Sequence, residues 1–166
     1  MILGMSTSLF TQLHVAISLL AIVSGFIVVF GMIRRASLPR MTAFFLITTA
    51  LTSITGFFFP WKGVTPGIVI GVLSLLVLLL AAIARYGARL TGIWRGTWVI
   101  SAALALYFNF FVLIVQLFEK VPALHALAPT QKEGPFKVAQ LISLIAFVAL
   151  TVWAVRRFRS GILRPA

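Results

Sequence analysis

Five long apolar runs dominate this chain, and each is long enough to cross a lipid bilayer as an α-helix. A helix needs roughly 20 mostly apolar residues to span a hydrocarbon core about 30 Å thick. The backbone of a single chain satisfies its hydrogen bonds within lipid by forming such helices. We therefore predict an all-α integral membrane bundle, a single domain over residues 1–166, whose five transmembrane helices cover about residues 12–33, 42–60, 66–84, 97–118 and 138–156.

The composition is that of a membrane protein rather than a soluble one. Hydrophobic residues make up 61% of the chain and charged residues 10%, and the mean hydropathy is +1.14. Only Glu119 and Glu133 are acidic, which is too few to help build the polar shell of a soluble protein. The net charge of +12 is divided among the segments between apolar runs. We therefore expect the lipid bilayer, and not a nucleic acid, as the partner of this chain.

The basic residues predict the orientation of the bundle. Every arginine follows the first, third or fifth run, and these segments fall on one side of a five-helix bundle: Arg34, Arg35, Arg40, Arg85, Arg89, Arg95, Arg156, Arg157, Arg159 and Arg164. The lysines fall on the other side: Lys62, Lys120, Lys132 and Lys137. Because the side richer in basic residues stays in the cytosol, we predict an outer N-terminus and a cytosolic C-terminus. The first run lacks the basic start and cleavage site of a signal peptide, so we expect it to be a retained span.

The segment of residues 119–137 is predicted to lie on the outer side and has a pattern of its own. Pro122 suits the first turn of a helix, and Pro129 would end that helix. Between them, apolar residues are placed so that they can lie on a membrane surface: Val121, Leu124, Leu127 and Ala128. We predict a short interfacial helix that caps the outer end of the bundle.

Each predicted span carries small or polar residues at spacings of three and four, which place them on one helix face. The second span has Thr48, Thr52, Thr55 and Gly56, and the third opens with Gly67-x-x-x-Gly71. In lipid, helices associate through close packing of small residues and through shared hydrogen bonds. These faces are therefore predicted to form the bundle interior, and also the contacts of a homo-oligomer or of a larger membrane complex.

Larger polar residues collect in the outer half of the predicted bundle. Asn109 lies near mid-membrane, where an unpaired amide is costly, so it needs a partner. Gln116 and Glu119 share its helix face at spacings of seven and three residues. His14 and Gln140 come to the outer third of the membrane in the predicted topology.

These residues define a candidate ligand-binding recess that opens outward. Its predicted residues are His14, Asn109, Gln116 and Gln140, with Glu119 and His125 at the mouth. The alternative is that the same side chains only form interhelical hydrogen bonds and ordinary polar surface.

Several chemistries do not fit the residue inventory. The absence of cysteine excludes disulfides, thiolate metal sites and Fe–S clusters. A di-haem cytochrome needs paired histidines on facing spans, and only His14 lies near a span. Two histidines and two glutamates are too few, at the wrong spacing, for a zinc or di-iron site. A proton- or sodium-coupled pump usually keeps a carboxylate within a span. We expect no metal, no cofactor and no catalytic residues, although a membrane-embedded enzyme stays open.

Two stretches of the sequence resemble segments of small, uncharacterised bacterial inner-membrane proteins. They are Leu51–Pro60 (LTSITGFFFP) and Lys120–Gln131 (KVPALHALAPTQ), the latter followed by Gly134-Pro135-Phe136. The resemblance extends from about Arg40 to Arg159. It implies a multi-pass protein of the bacterial cytoplasmic (inner) membrane and assigns no activity. It also draws attention to the outer loop and to the Phe-Pro end of the second span.

Three classes of function stay open at this stage. The first is binding or transport of a small ligand in the outward recess; the ligand would be neutral or lipid-like because the spans lack carboxylates. The second is a non-catalytic accessory subunit that packs against a larger membrane complex through its small-residue faces. The third is a lipid-modifying enzyme that uses Glu119, His125 or His14 as acid–base groups. The sequence favours the first.

Overall fold

The computed structural model describes residues 1–60 and 66–159, and within these ranges the chain forms a bundle of six α-helices. The structure is 82% helix and the described residues contain no strand, which confirms the all-α prediction. A π-helical turn, Ile83–Gly87, extends the third helix. The helices are α1 (Thr7–Ile33), α2 (Pro39–Gly56), α3 (Pro66–Ala82), α4 (Trp94–Lys120), α5 (Pro122–Leu127) and α6 (Gly134–Arg159).

Four stretches of the described chain are long and apolar enough to cross a membrane: Thr7–Ile33, Gly67–Gly87, Trp94–Lys120 and Gly134–Phe158. The chain therefore has the helices of a multi-pass membrane protein. α2, with 18 residues, is not one of the four. It buries hydroxyl-bearing side chains, and these make it more polar than its neighbours: Thr42, Thr48, Thr49 and Ser53. A fifth span and the orientation of the bundle stay predictions.

The ends of α1 follow from local hydrogen bonding. The side chain of Ser6 caps its start by accepting a hydrogen bond from the Leu9 N–H at 3.2 Å. At its end, the Ala36 N–H donates to the Gly31 carbonyl at 2.9 Å and the Arg35 N–H donates to the Met32 carbonyl at 3.1 Å. This pair of bonds is a Schellman motif, and it places Arg35 in the left-handed region with φ 61°.

α4 is the central helix and packs against α1, α2, α3, α5 and α6. Side chains of α4 and α2 meet α1 tightly at Gly25 of α1. A Cβ atom at that position would lie 2.6 Å from Leu106 Cδ1 and 2.8 Å from Phe45 Cε2. Leu106 and Phe45 are completely buried, so neither can move aside easily. Only glycine allows the three helices to come this close.

A second, smaller core lies where α4 ends and α6 begins. Ile114, Phe118 and Ala128 are its buried residues, and the Phe136 ring meets Phe118 edge-on at 5.4 Å between centroids. α5 covers this core with Leu124. On the predicted interfacial segment, Leu124 and Ala128 thus face the bundle, whereas Val121 and Leu127 are exposed. The short helix exists between Pro122 and Leu127, and its location on a membrane surface stays a prediction.

Candidate functional site

Asn109 is buried inside the bundle and has the hydrogen-bond partner that a buried amide requires. It is only 8% exposed, and its Nδ2 donates to Thr49 Oγ1 at 3.3 Å, which joins α4 to α2. The hydroxyl of the neighbouring Thr48, which belongs to the predicted small-residue face of the second span, bonds back to the Phe44 carbonyl of its own helix at 2.8 Å. Thr49 shares the buried face of α2 with Phe45 and Ser53, each four residues away, but the many hydroxyl groups of this helix hide that signal in the sequence.

His14 is half-buried and joins the beginning of α1 to the end of α2. Its Nδ1 lies 2.7 Å from Thr55 Oγ1, and its ring meets the Phe59 ring edge-on at 5.2 Å. The Thr55 hydroxyl also lies 2.7 Å from the Leu51 carbonyl, to which it donates. If that bond holds the hydroxyl hydrogen, His14 carries its hydrogen on Nδ1 and donates to Thr55. The resulting contact is a second polar link to α2.

Gln116 and Glu119 meet each other at the surface. Gln116 is exposed, and its Nε2 lies 3.5 Å from Glu119 Oε2. Glu119 Oε1 also forms an ion pair with Lys120 Nζ at 2.9 Å, with side-chain exposures of 47% and 68%. Exposed pairs of this kind contribute about 0–1 kcal/mol. His125 is exposed on α5. These three predicted residues therefore form a polar rim rather than an interior.

Gln140 has one of its two polar atoms paired and the other buried without a partner. Its Nε2 donates to the Phe111 carbonyl of α4 at 3.3 Å. Its Oε1 is buried and, like Ser143 Oγ one helical turn further along, finds no hydrogen-bond partner among the described residues. Buried polar atoms in native proteins are nearly always paired, so two orphans side by side call for an explanation.

Gln131 forms a link between the segment before α6 and α4 that the sequence did not reveal. Its Nε2 donates to the Val115 carbonyl at 3.0 Å, one turn along α4 from the carbonyl that Gln140 binds. Gln131 is in the left-handed region with φ 58°, shortly before the start of α6. A loop glutamine gives no sequence signal for such a contact, because its partner is a backbone carbonyl of a distant helix.

Glu133 organises the approach to α6. Its Oε1 accepts hydrogen bonds from the Thr130 hydroxyl at 2.7 Å and from the Thr130 N–H at 3.2 Å, and its Oε2 accepts from the Lys132 N–H at 2.9 Å. The Thr130 hydroxyl, more than any other group, holds the pKa of Glu133 below its usual range, since these bonds favour the charged carboxylate.

The predicted site residues are thus only partly brought together. Gln116 and Glu119 contact each other, while His14, Asn109 and Gln140 each have a separate partner. A common recess for all of them stays a prediction. Two open cavities, of about 500 and 550 Å³, lie at the opposite end of the bundle beside Phe30. In the described part of the chain, no three His, Cys, Asp or Glu residues are placed to hold a metal ion.

Comparison with known proteins assigns no relatives to this chain. No protein-family model matches it, and no match was found among curated proteins or solved structures. Function has to be inferred from the side chains themselves.

Proposed function

We propose that this protein binds a small neutral or lipid-like ligand in the bacterial cytoplasmic membrane, at the outer half of the seam between α4 and α6. The observation that carries the proposal is the adjacent pair of buried oxygens, Gln140 Oε1 and Ser143 Oγ, which find no partner within the described ranges. Leaving one such group unsatisfied costs about 1–3 kcal/mol. A ligand hydroxyl or amide would relieve both, since the amide oxygen accepts and the serine hydroxyl either donates or accepts.

The surroundings of this pair favour a neutral ligand. On one side along the seam lie the rings of Phe118 and Phe136, and on the other those of Tyr107 and Phe147, whose centroids are 5.4 Å apart in each pair. A charged ligand between these aromatic groups would lose its hydration without a countercharge. A molecule with an apolar body and one or two polar atoms fits the chemistry.

The other predicted recess residues take supporting roles in this proposal. Asn109 and His14 fix α4 and α1 to α2 through their threonine partners. Gln116, Glu119 and His125 form the polar rim on the same side of the bundle. Among the predicted residues, Gln140 is then the one that contacts the ligand, and Ser143 also contacts it.

A photoreactive diacylglycerol is a suitable probe, because it is a neutral lipid with one free hydroxyl. In liposomes containing the purified full-length chain, we expect crosslinks near residues 140–143. Gln140→Leu and Ser143→Ala should each lower the labelling severalfold. Gln12→Leu, a change at an exposed glutamine of α1, is the matched control and should leave it unchanged. Equal labelling of wild type and Gln140→Leu would refute the site.

The proposal includes a five-span topology with an outer N-terminus. It is supported by the arginines, which stand where α1, α3 and α6 end and where α2 and α4 begin. Because the chain has no cysteine, single substitutions give a clean labelling background. Lys132→Cys should react with an impermeant maleimide in intact cells, and Arg89→Cys only after lysis. The reverse pattern would invert the orientation.

The accessory-subunit alternative receives less support from the packing. It requires small-residue faces that are available to a partner, and the faces of α1, α4 and α6 have small residues that are already buried inside the bundle: Ala21, Gly25, Ala102, Ala105 and Ala154. On α2 and α3, Thr48 and Ala81 are buried, while Gly67 is exposed and Gly56 and Gly71 are partly exposed. Native mass spectrometry of the protein extracted from its membrane separates the two. A recurrent unrelated protein would favour the subunit, and a bound neutral lipid on a monomer or homo-oligomer would favour the binding protein.

A further inference from the structure

The segment of residues 128–133, between α5 and α6, lies against the seam of α4 and α6 at the end where α4 finishes and α6 begins, and we call it the strap. Its first residue, Ala128, is completely buried in one small core with Phe118 of α4. Ala139 of α6 packs against the same core and directly precedes Gln140, whose side-chain oxygen has no described partner. The strap therefore covers the seam at the end that lies nearest this oxygen.

One side chain of the strap is hydrogen-bonded to α4. Gln131 Nε2 donates to the Val115 carbonyl at 3.0 Å. Gln140 Nε2 donates to the Phe111 carbonyl at 3.3 Å, one helical turn away on the same face of α4. The tether of the strap and the first residue of the proposed ligand site thus bind successive turns of one helix. A molecule that enters the seam from this end has to pass the Gln131 amide.

The strap is held closed by few other contacts. Pro129, Thr130 and Lys132 are exposed. The Glu133 carboxylate accepts its hydrogen bonds from Thr130 and Lys132, so these bonds stiffen the strap without fixing it to the bundle. Gln131 is in the left-handed region with φ 58°, which is uncommon for a residue other than glycine. A segment with few buried contacts and a disfavoured backbone conformation opens more readily than the helices that it joins.

We propose that the strap is a gate of the α4–α6 seam, through which a neutral ligand reaches Gln140 and Ser143. The inference rests on the proposed function, since it concerns access to the same site. In the closed form, Gln131 ties the strap to α4 and Ala128 is buried at the end of the seam. In the open form, the Gln131 bond is broken and Ala128 leaves the core. Because Gln131 binds a backbone carbonyl and not the ligand, the loss of its bond changes the rates of entry and exit more than the affinity.

Access to the seam can be measured without a ligand, because the chain has no native cysteine. Ser143→Cys introduces a single thiol in the seam, and N-ethylmaleimide is a small neutral probe of it in proteoliposomes of the full-length chain. Gln131→Met removes the N–H donor and keeps the length of the side chain. In the Ser143→Cys background, it should raise the rate of alkylation about fivefold, the effect of losing one neutral hydrogen bond that holds the gate closed. Lys132→Ala, a change at the exposed neighbour, is the matched control and should leave the rate unchanged.

Equal rates of alkylation with and without Gln131→Met would overturn the gate and mean that molecules enter the seam by another route. A Thr49→Cys background reports on the bundle interior, because Thr49 is completely buried between other helices. If Gln131→Met accelerated alkylation there as well, the bundle would be loosened as a whole and the gate would be refuted.

The ligand site is tested separately, by the time course of diacylglycerol crosslinking near residues 140–143. If Gln131→Met reaches the wild-type plateau of crosslinking sooner than the wild type does, the result supports the gate and the ligand site together. Absence of crosslinking in both proteins, with alkylation at position 143 still accelerated by Gln131→Met, would refute the ligand and support the gate.

Discussion

The seam that joins α1, α2 and α4 uses its polar residues differently from the seam between α4 and α6. In the first, Asn109 and His14 each bind a threonine of α2, and Gly25 brings the backbones together. In the second, the oxygens of Gln140 and Ser143 are buried without partners in the described structure. α6 is also less enclosed, since 17% of its apolar segment is buried against 50% for α4. The first seam is complete in itself, while the second has unused hydrogen-bonding capacity.

The largest effect is expected from Gly25→Ala, which should destabilise the first seam by about 1–3 kcal/mol through overpacking. The new methyl group would meet Leu106 and Phe45 well inside contact distance. Unfolding by a denaturing detergent, followed by circular dichroism, measures the change. Gly134→Ala is the matched control, because a Cβ atom there has nothing within 4 Å. Equal stability of the two variants would mean that the close approach is not needed.

Asn109→Leu should lower stability by about 1 kcal/mol, in line with other hydrogen bonds inside membrane bundles. The change removes the bond to Thr49 and leaves that hydroxyl without this donor. A double-mutant cycle with Thr49→Val isolates the pair, and its coupling energy should account for most of the loss. Additive effects of the two substitutions would show that Asn109 acts through some other contact.

Gln140→Leu should be nearly neutral for stability in the absence of ligand. It removes one donated bond to Phe111, but it also removes a buried oxygen that has no described partner. Exchanging an incompletely paired polar group for an apolar one of similar size is often neutral or stabilising. The same detergent unfolding assay gives the result. A loss of stability as large as that of Asn109→Leu would show that the polar residues of the two seams contribute equally.

The smallest effect is expected at Glu133, which directly precedes α6. Hydrogen bonds lower the pKa of Glu133, and the bond from the Thr130 hydroxyl has the largest effect. The carboxylate is therefore charged at neutral pH, where its hydrogen bonds help to order the loop. The contribution is lost as the pH falls through this lowered pKa, which lies below the ordinary 4.5 of a glutamate. Amide exchange of residues 130–137 should therefore accelerate in that range. Glu133→Gln should remove the pH dependence, and a persistent acid transition in that variant would assign it to another group.

The helices themselves were largely predictable from the sequence, because each apolar run matches one long helix. Their ends were less so. α1 begins at Thr7, ahead of the apolar run, because Ser6 caps it, and α4 extends to Lys120, beyond its run. α2 ends at Gly56, whereas the apolar run continues to residue 60. Apolar composition identifies which residues suit lipid, while capping and local turns decide where a helix begins and ends.

The helix that carries each candidate residue could be predicted, except for His125 on the short α5 and Glu119 at the end of α4, but the direction of the side chain around the helix axis could not. Asn109 was expected to need a partner, and it has one. That partner, Thr49, sits on a helix rich in hydroxyl groups, where spacing alone does not single it out. In a span that is apolar on every side, the pattern does not separate the face toward lipid from the face toward protein. The two cavities beside Phe30 were missed for the same reason.

The π-helical turn Ile83–Gly87 is a place where the chain can change in length without turning the segment that follows. There the Ala88 N–H reaches back five residues to the Ile83 carbonyl at 2.8 Å, so the turn holds one residue more than a regular α-helix would. Deletion of one residue in this turn would let it relax to α-helical geometry and largely keep the direction of the segment after Gly87. Deletion of one residue within the regular part of α3 would instead rotate that segment by about 100°. The contact of Arg85, now 5.5 Å from the centre of the Trp98 ring, would be lost on such a rotation. Natural variation in length should therefore be tolerated within the turn and selected against in α3.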